Sequence, residues 1–279
     1  MNIAPGAARP HLVDIGVNFH SGQLTSMTAS LLARAKAAGV MQILATGTSL
    51  DSSLRALDLA KVNPGVVFAT AGVHPHNAKS FDLPTARQLI DLWSCPEVVA
   101  VGECGLDYNR NLSTPAAQRS AFEQQLAMAV ETGKPLFLHC RDAFVDFHDM
   151  LVPAMAQGAR GVVHCFTGDR SEVESFLAMG LDIGITGWVT DRQRGQALRD
   201  AVAAIPLNRL HLETDAPYLM PKNAGLRGKP NEPANLPWVA AGLAELLRCD
   251  IAEIVEACTE NSRRMFDLPS IADCAYMSE

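Results

Sequence analysis

The sequence has no stretch near the roughly 18 consecutive apolar residues that a membrane-spanning helix needs, so no membrane partner is expected. Its start, "MNIAPGAARPHLVDIG", lacks the basic head, long apolar centre and cleavage site of a secretory leader. Cysteine is sparse and unpaired in pattern: seven residues, an odd number, with no CxxC. A disulfide framework, a structural zinc site and a thioredoxin-like motif all go unsupported, and a reduced, cytoplasmic protein is expected. Positive charge is also short, with 23 Lys and Arg against 30 Asp and Glu and a net charge of −7. That excludes a protein that coats duplex nucleic acid, because such binding rests on many Lys/Arg–phosphate contacts. It leaves room for an enzyme that grips a few phosphates through a metal ion and local arginines. No G-x-G-x-x-G follows the first apolar run, and neither a Walker loop nor a G-x-S-x-G elbow occurs.

What is present is ordinary globular material, 48% apolar and 19% charged over 279 residues. The length suits one (β/α)8 barrel, so a single domain over the whole chain is expected, with its core over about 11–268. Apolar, β-branched runs recur at even spacing: His11–Val17, Met41–Thr48, Val66–Val73, Val98–Glu103, Leu136–Cys140, Val162–Phe166, Leu181–Ile185 and Leu210–Thr214. Helix-length stretches with three-to-four-residue apolar periodicity separate them. "TPAAQRSAFEQQLAMAVETGKP" has Pro115 near its start and Gly133 at its end, and "SEVESFLAMG" offers Ser171 as a cap with Glu174 three residues on. Strands alternating with helices predict a parallel sheet, and the even spacing predicts a closed TIM-type barrel over a doubly wound open sheet. The Gly-, Pro- and Asn-rich segment from Leu219 to Pro237 reads as a long functional loop after the last strand.

In such barrels the carboxyl ends of the strands carry the site. The ionisable residues there are Asp14, His74 and His76 of "AGVHPH", Glu103 of "VGECGLD", His139, His164, and Asp215 of "LETDAPY". One buried histidine alone is usually a hydrogen-bonded core residue, and one acid after a strand is usually a helix cap. Several from separate strands at one end point instead to a metal site. Two stretches, "PLFLHCRDA" and "GVVHCFTGD", each end an apolar run in His-Cys. Neighbouring strand residues face opposite ways. If His139 and His164 face the barrel axis, Cys140, Cys165 and Cys104 face the helices as small buried hydrophobes. Mixed imidazole and carboxylate donors suit borderline or hard divalent ions, and an open position on such an ion activates water. Glu103 reads as a primary or bridging ligand, and Asp215 as ligand, general base or both. The reaction class is metal-assisted hydrolysis.

Together "AGVHPH", "VGECGLDYNRN", "PLFLHCRDA", "GVVHCFTG", "GITGWVTD", "LETDAPYLMP" and "NEPANLP" resemble the TatD family of metal-dependent deoxyribonucleases, from about Asp14 to about Phe266 and in the family's order. The resemblance implies a TIM-type barrel with a divalent metal centre of one or two ions. It also implies 3′→5′ hydrolysis of phosphodiesters, single-stranded DNA preferred and RNA accepted. Carried over by motif, the metal ligands are Glu103, His139, His164 and Asp215, with Glu103 and Asp215 catalytic, and His74 lies near the metal or the phosphate. The family's usual D-x-H-x-H on the first strand is "DIGVN" here, so Gly16 and Asn18 replace two histidine ligands, and His20 lies two residues further on. The remaining set is weighted toward oxygen, which favours Mg²⁺ or Mn²⁺ over Zn²⁺. Pro230 stands where the family usually has a basic residue before N-E-P.

The expected partner is the 3′ end of single-stranded DNA or RNA, met by a chain that can act as a monomer. Arg110, Arg141, Arg192, Lys222, Arg227 and Lys229 fall in presumed rim loops, with Arg141 and Lys222 nearest the proposed ligands. Tyr108, Phe166, Trp188 and Tyr218 lie at the same end, where aromatics either stack bases or fill the core beneath the loops. Trp188 is the preferred stacker. Two other readings share the fold: an amidohydrolase or esterase on a small substrate, which a lysine at a strand end would favour, and a binding module without metal.

Overall fold

The computed structural model describes residues 11–226 and 228–270. Eight parallel strands follow one another around a single sheet in chain order. They are β1 (Leu12–Val17), β2 (Val40–Ala45), β3 (Val67–Ala71), β4 (Val98–Asp107), β5 (Leu136–Arg141), β6 (Gly161–Val163), β7 (Asp182–Ile185) and β8 (Leu210–Leu212). Each of the eight apolar runs overlaps its strand, because strands covered on both faces read as near-continuous Val, Ile and Leu. Closure comes just past β8. The Asp215 N–H donates to the Gly16 carbonyl at 2.9 Å, the Asn18 N–H to that of Ala216 at 2.8 Å, and Val17 bridges Ala216 in parallel. The barrel expected from the spacing is therefore present, with helices alternating between its strands.

Those helices are α1 (Thr28–Ala37), α2 (Leu50–Val62), α3 (Leu83–Trp93), α4 (Pro115–Thr132), α5 (Phe144–Ala156), α6 (Arg170–Ala178), α7 (Gln196–Val202), α8 (Leu236–Leu247) and α9 (Ile251–Phe266). α4 starts at Pro115 under a Thr114 cap and ends at Gly133 in the left-handed region, as its punctuation predicts. α6 is capped differently from expectation. Asp169, not Ser171, accepts the Glu172 N–H, so the helix begins at Arg170.

Two apolar layers hold the barrel. Between sheet and helices lie residues such as Leu31, Leu57, Leu89, Phe122, Phe147 and Phe176. Inside the sheet, Val13, Ile15, Leu44, Phe68, Phe137 and Val162 pack with Met265, Phe266 and Leu268 from the end of α9 and just beyond. Phe137 then stacks on His164, ring centroids 4.4 Å apart, so the apolar interior is the floor on which the polar mouth is built.

The polar mouth of the barrel

Glu103 is the centre of the mouth, and a local irregularity puts it there. Along β4 and β5, Gly102 pairs with Phe137 and Cys104 with Leu138, so Glu103 is the extra residue of a bulge. Its own N–H turns away to the Gly47 carbonyl at 2.7 Å. Bulges re-aim a side chain, and this one needs Gly102 and Gly105, both at positive φ. A Cβ at Gly105 would run into the His139 carbonyl oxygen.

Three imidazoles converge on one oxygen of that buried carboxylate. His164 Nε2 lies 2.8 Å from Glu103 Oε1, His139 Nδ1 3.0 Å and His74 Nε2 3.3 Å. They come from the ends of β6, β5 and β3, positions that share one end of the barrel. Burial alone would raise Glu103, but the charges of His164 and His74 and hydrogen bonds from His139 and His164 hold it well below the usual carboxylate range. It is an anion. Burial opposes charge on all three rings. It prevails at His74, pushed down to about 4. At His139 the nearby carboxylates of Asp107 and Glu103 prevail and raise it, and at His164 the charges of Glu103 and Glu213 raise it well above its ordinary value.

Hydrogen bonds on the far side of each ring assign the three histidines different roles. The Nδ1 of His74 accepts the His76 N–H at 3.0 Å, so a neutral His74 carries its proton on Nε2 and presents a donor to Glu103. His164 meets carboxylates on both sides, Nδ1 facing Glu213 Oε2 at 3.2 Å and Nε2 facing Glu103 Oε1 at 2.8 Å, so its raised ring donates from both nitrogens. His139 Nε2 sits 3.5 Å from Asp107 Oδ2, too long for a hydrogen bond, and is buried without a partner. Its Nδ1 faces Glu103. Donor atoms of His74, Glu103 and His139 lie within 4.8 Å of one another, the one such compact group among the described residues. An anionic carboxylate with three imidazole nitrogens crowded on one of its oxygens, and a buried ring nitrogen without a hydrogen bond, form the donor set a divalent cation requires. The residues fit a metal.

Asp215 stands beside this group at positive φ, with Asn18 Nδ2 donating to its Oδ1 at 2.9 Å. Burial and the charges of Glu103 and Glu213 push it up to about 7 against the opposing charge of His164. Asp14 takes a separate place within the barrel. It accepts from the Thr214 N–H at 2.9 Å and the Thr214 hydroxyl at 2.6 Å, and it does not join the mouth cluster. His20 also stays apart, its Nε2 3.4 Å from the Thr48 hydroxyl. His76 pairs with Asp107 at 2.7 Å.

Side-chain alternation holds for two of the three cysteines. Cys104 is buried among the helix-facing residues and Cys140 packs against them. Cys165 departs from it. β6 ends at Val163, and Cys165 turns through φ +46, so strand parity no longer fixes its direction. Burial and the charges of Asp215 and Glu213 instead push its thiol well up. Two acids beside the site escaped sequence reasoning. Asp107 closes the same motif as Glu103, and Glu213 opens "ETDAP" with its side chain wholly buried.

Around the rim, Arg141 is exposed and donates to the Thr167 hydroxyl at 3.0 Å. Lys222 is exposed and, with Arg192, Arg194 and Arg199, lines a cavity of about 570 Å³. Trp188 is partly exposed, with the Arg194 guanidinium 4.8 Å over its ring. Arg192 pairs with Glu245 at 2.5 Å, Arg110 and Lys229 are exposed, and Arg227 lies outside the described residues. Among the aromatics, Phe166 belongs to the core, Tyr108 bonds Asp146 at 2.7 Å, and Tyr218 is exposed.

Comparison with known proteins places this mouth. A profile described as "TatD related DNase" matches residues 13–267. A protein named 3′-5′ ssDNA/RNA exonuclease TatD in Edwardsiella piscicida is 46% identical over 259 residues, covering 92% of this chain and all of that relative. One of the same name in Yersinia pseudotuberculosis is 48% identical over 261 residues with the same coverage. Among solved structures, YJJV, a TatD homolog from Escherichia coli K12, superposes with a TM-score of 0.86 at 30% identity. That alignment covers 94% of this chain and all of the other. The barrel, the acid at the β4 bulge and near-complete alignment with these relatives agree: the chain belongs to the TatD-related DNase family.

Proposed function

We propose that this chain is a metal-dependent 3′→5′ exonuclease that hydrolyses phosphodiester bonds of single-stranded DNA and RNA, working as one barrel in the cytoplasm. One observation carries the reading. At the mouth of a TatD-family barrel, His139 and His164 turn ring nitrogens on a single anionic carboxylate oxygen of Glu103, 3.0 and 2.8 Å away. The substrate class follows from the activity in the names of the bacterial relatives.

The proposed ligands are Glu103, His139, His164 and Asp215. His74 stands outside that set because its Nδ1 is already an acceptor. Gly16 offers no side chain and Asn18, whose Nδ2 donates to Asp215, only a neutral amide oxygen, so a single ion is proposed. The carboxylates of Glu103 and Asp215 favour Mg²⁺ or Mn²⁺ over Zn²⁺. Bound there, a divalent cation supplies Lewis-acid polarisation of the phosphoryl group and a lowered pKa for water. Asp215 takes the proton of the attacking water. Burial and the neighbouring acids push its carboxyl up to about 7, and a bound cation's charge would act in the opposite direction and keep it an acceptor. His74 donates from Nε2 to a phosphoryl oxygen. Arg141 and Lys222 hold backbone phosphates, and the partly exposed Trp188 stacks a base.

The test is a chelator-stripped protein incubated with 5′-labelled single-stranded DNA and RNA, with Mg²⁺, Mn²⁺ or Zn²⁺ returned singly. The expected result is a ladder shortening from the 3′ end, restored by Mg²⁺ or Mn²⁺ and lost in Asp215→Asn. A folded protein that leaves both strands intact under every ion overturns the reading. The small-molecule amidohydrolase finds no support at the strand ends, none of which is a lysine.

A further inference from the structure

Glu213 is completely buried at the mouth, two residues before Asp215, and lies in a slot made by two strand glycines. A Cβ built on Gly16 of β1 would lie 2.6 Å from Glu213 Oε2, and one on Gly184 of β7 would lie 2.5 Å from Oε1. Any side chain at either position would displace the carboxylate. Glycines inside strands commonly mark such close approach. Within the slot both oxygens are engaged: Oε1 accepts the Cys165 N–H, and Oε2 faces His164 Nδ1 at 3.2 Å. The opposite ring nitrogen, Nε2, faces Glu103 at 2.8 Å.

We propose that Glu213 is the positioning residue of the centre: seated between Gly16 and Gly184, it holds the His164 proton on Nδ1 and so aims the Nε2 lone pair at the metal. This inference rests on the metal-holding role given to His164 above. Imidazole has one proton in its neutral form, and the partner on one nitrogen decides which nitrogen is free to ligate. A carboxylate accepts hydrogen bonds and never donates one, so without a cation Glu213 and Glu103 hold a proton on each nitrogen of His164; a cation bound at Glu103 would take the place of the Nε2 proton and leave Glu213 the one on Nδ1. His74 is the counter-example a few ångströms away. There a backbone N–H, a donor, occupies Nδ1 and fixes the opposite tautomer. The slot adds direction, because the carboxylate occupies space that a Cβ at either glycine would take.

The experiment measures Mn²⁺ binding to chelator-stripped protein by calorimetry for the wild type and Glu213→Gln, with thermal melting of each. A glutamine keeps the volume but can point its amide N–H₂ at His164 and release Nδ1 from its donor role. Affinity is expected to fall about 10- to 100-fold, the usual effect of losing an outer carboxylate behind a ligand histidine. A folded Glu213→Gln protein that binds Mn²⁺ as tightly as wild type overturns the inference. If that variant does not fold, long-range ¹H–¹⁵N correlation spectra of wild-type protein loaded with Mg²⁺ read the His164 tautomer directly. A proton on Nδ1 is expected, and one on Nε2 overturns the inference. Wild-type protein that binds no divalent ion at all removes the ground for both this inference and the metal reading, whereas tight binding indifferent to Glu213 removes this one alone.

Discussion

The barrel holds two clusters built from the same residue types, one at each end, and they differ in how completely they are satisfied. Toward the amino end, Asp182, the first residue of β7, accepts from Arg209 through Oδ1 and meets His211 Nε2 at 3.1 Å through Oδ2. His211 Nδ1 meets the Ser262 hydroxyl of α9 at 2.9 Å, and that hydroxyl donates to the Cys258 carbonyl at 2.8 Å. Asp, His and Ser in this order have the composition of a hydrolytic triad, yet His211 and Ser262 are wholly buried and Ser262 already spends its proton. Burial alone would lift Asp182, but the hydrogen bond and charge of His211 and the Arg209 guanidinium hold it below the usual carboxylate value. At the carboxyl end, three rings crowd one oxygen of Glu103 and His139 Nε2 goes without a partner. A saturated buried network holds a fold together, and an unsaturated one is waiting for something. Residue type does not separate the two ends; the unfilled valence does.

The strongest way to break this comparison is at the amino end. Asp182→Ala removes the anion shared by Arg209 and His211 and leaves the buried His211 Nε2 without its partner. It should cost about 3–5 kcal/mol of stability, the usual loss when one member of a buried pair is deleted. Urea unfolding measures it, and cleavage per folded molecule should be unchanged. A comparable loss of cleavage without a loss of stability would mean that the two ends are not separate in role. Next comes Glu103→Gln, which should do the reverse. Cleavage should fall by more than about 100-fold, the ceiling for residues behind the ligands. Divalent ions should then no longer raise the melting temperature, although they do so in the wild type by binding only the folded state. Trp188→Ala should act more weakly, through the substrate. Losing one stacked base costs about 1–3 kcal/mol in single-strand binders, read as a raised KM with kcat little changed. An unchanged KM would assign Trp188 to the support of Arg194 alone.

How far the sequence reached is clearest in particular residues. The strands were legible because a barrel strand covered on both faces shows as an apolar run whatever its neighbours. The ends of the runs carried Glu103, His139, His164 and Asp215 because the fold gathers strand ends at one rim. What stayed hidden depends on contacts between distant segments. Nothing near Glu213 in the chain reveals His164, 49 positions away, and only the unusual strand glycines, Gly16 and Gly184, hint that something bulky lies between them. Asp14 looked like a rim residue by its place in the first strand, but its partner is Thr214 from across the closure. Cys165 misled because parity arguments assume the strand continues, and β6 stops two residues earlier. At α6 two capping residues competed, and the carboxylate of Asp169 reached the free N–H first in sequence.

Asp14 gives the finest test of the comparison, because it lies between the two clusters in character. Like Asp182 it is fully hydrogen-bonded, accepting from Thr214 twice and from the Gly16 N–H at 3.3 Å, but it has no cationic partner. Burial therefore prevails over its three donors and raises it to about 8. Between its ordinary value of 3.8 and about 8, the folded protein keeps a proton that the unfolded chain has released. Folding then takes up a proton, and the stability Asp14 contributes is full below the ordinary value and drains away as pH rises. The slope approaches about 1.4 kcal/mol per pH unit inside that window. Asp14→Asn cannot titrate, so the difference in unfolding free energy between wild type and variant isolates this one group from Asp215 and the histidines. It should shift steadily against the wild type from pH 5 toward pH 8 and level off above. A flat difference over that range would mean that the carboxylate is ionised throughout and that three hydrogen-bond donors suffice without a cation. Saturation by neutral donors would then be equivalent to saturation by charge.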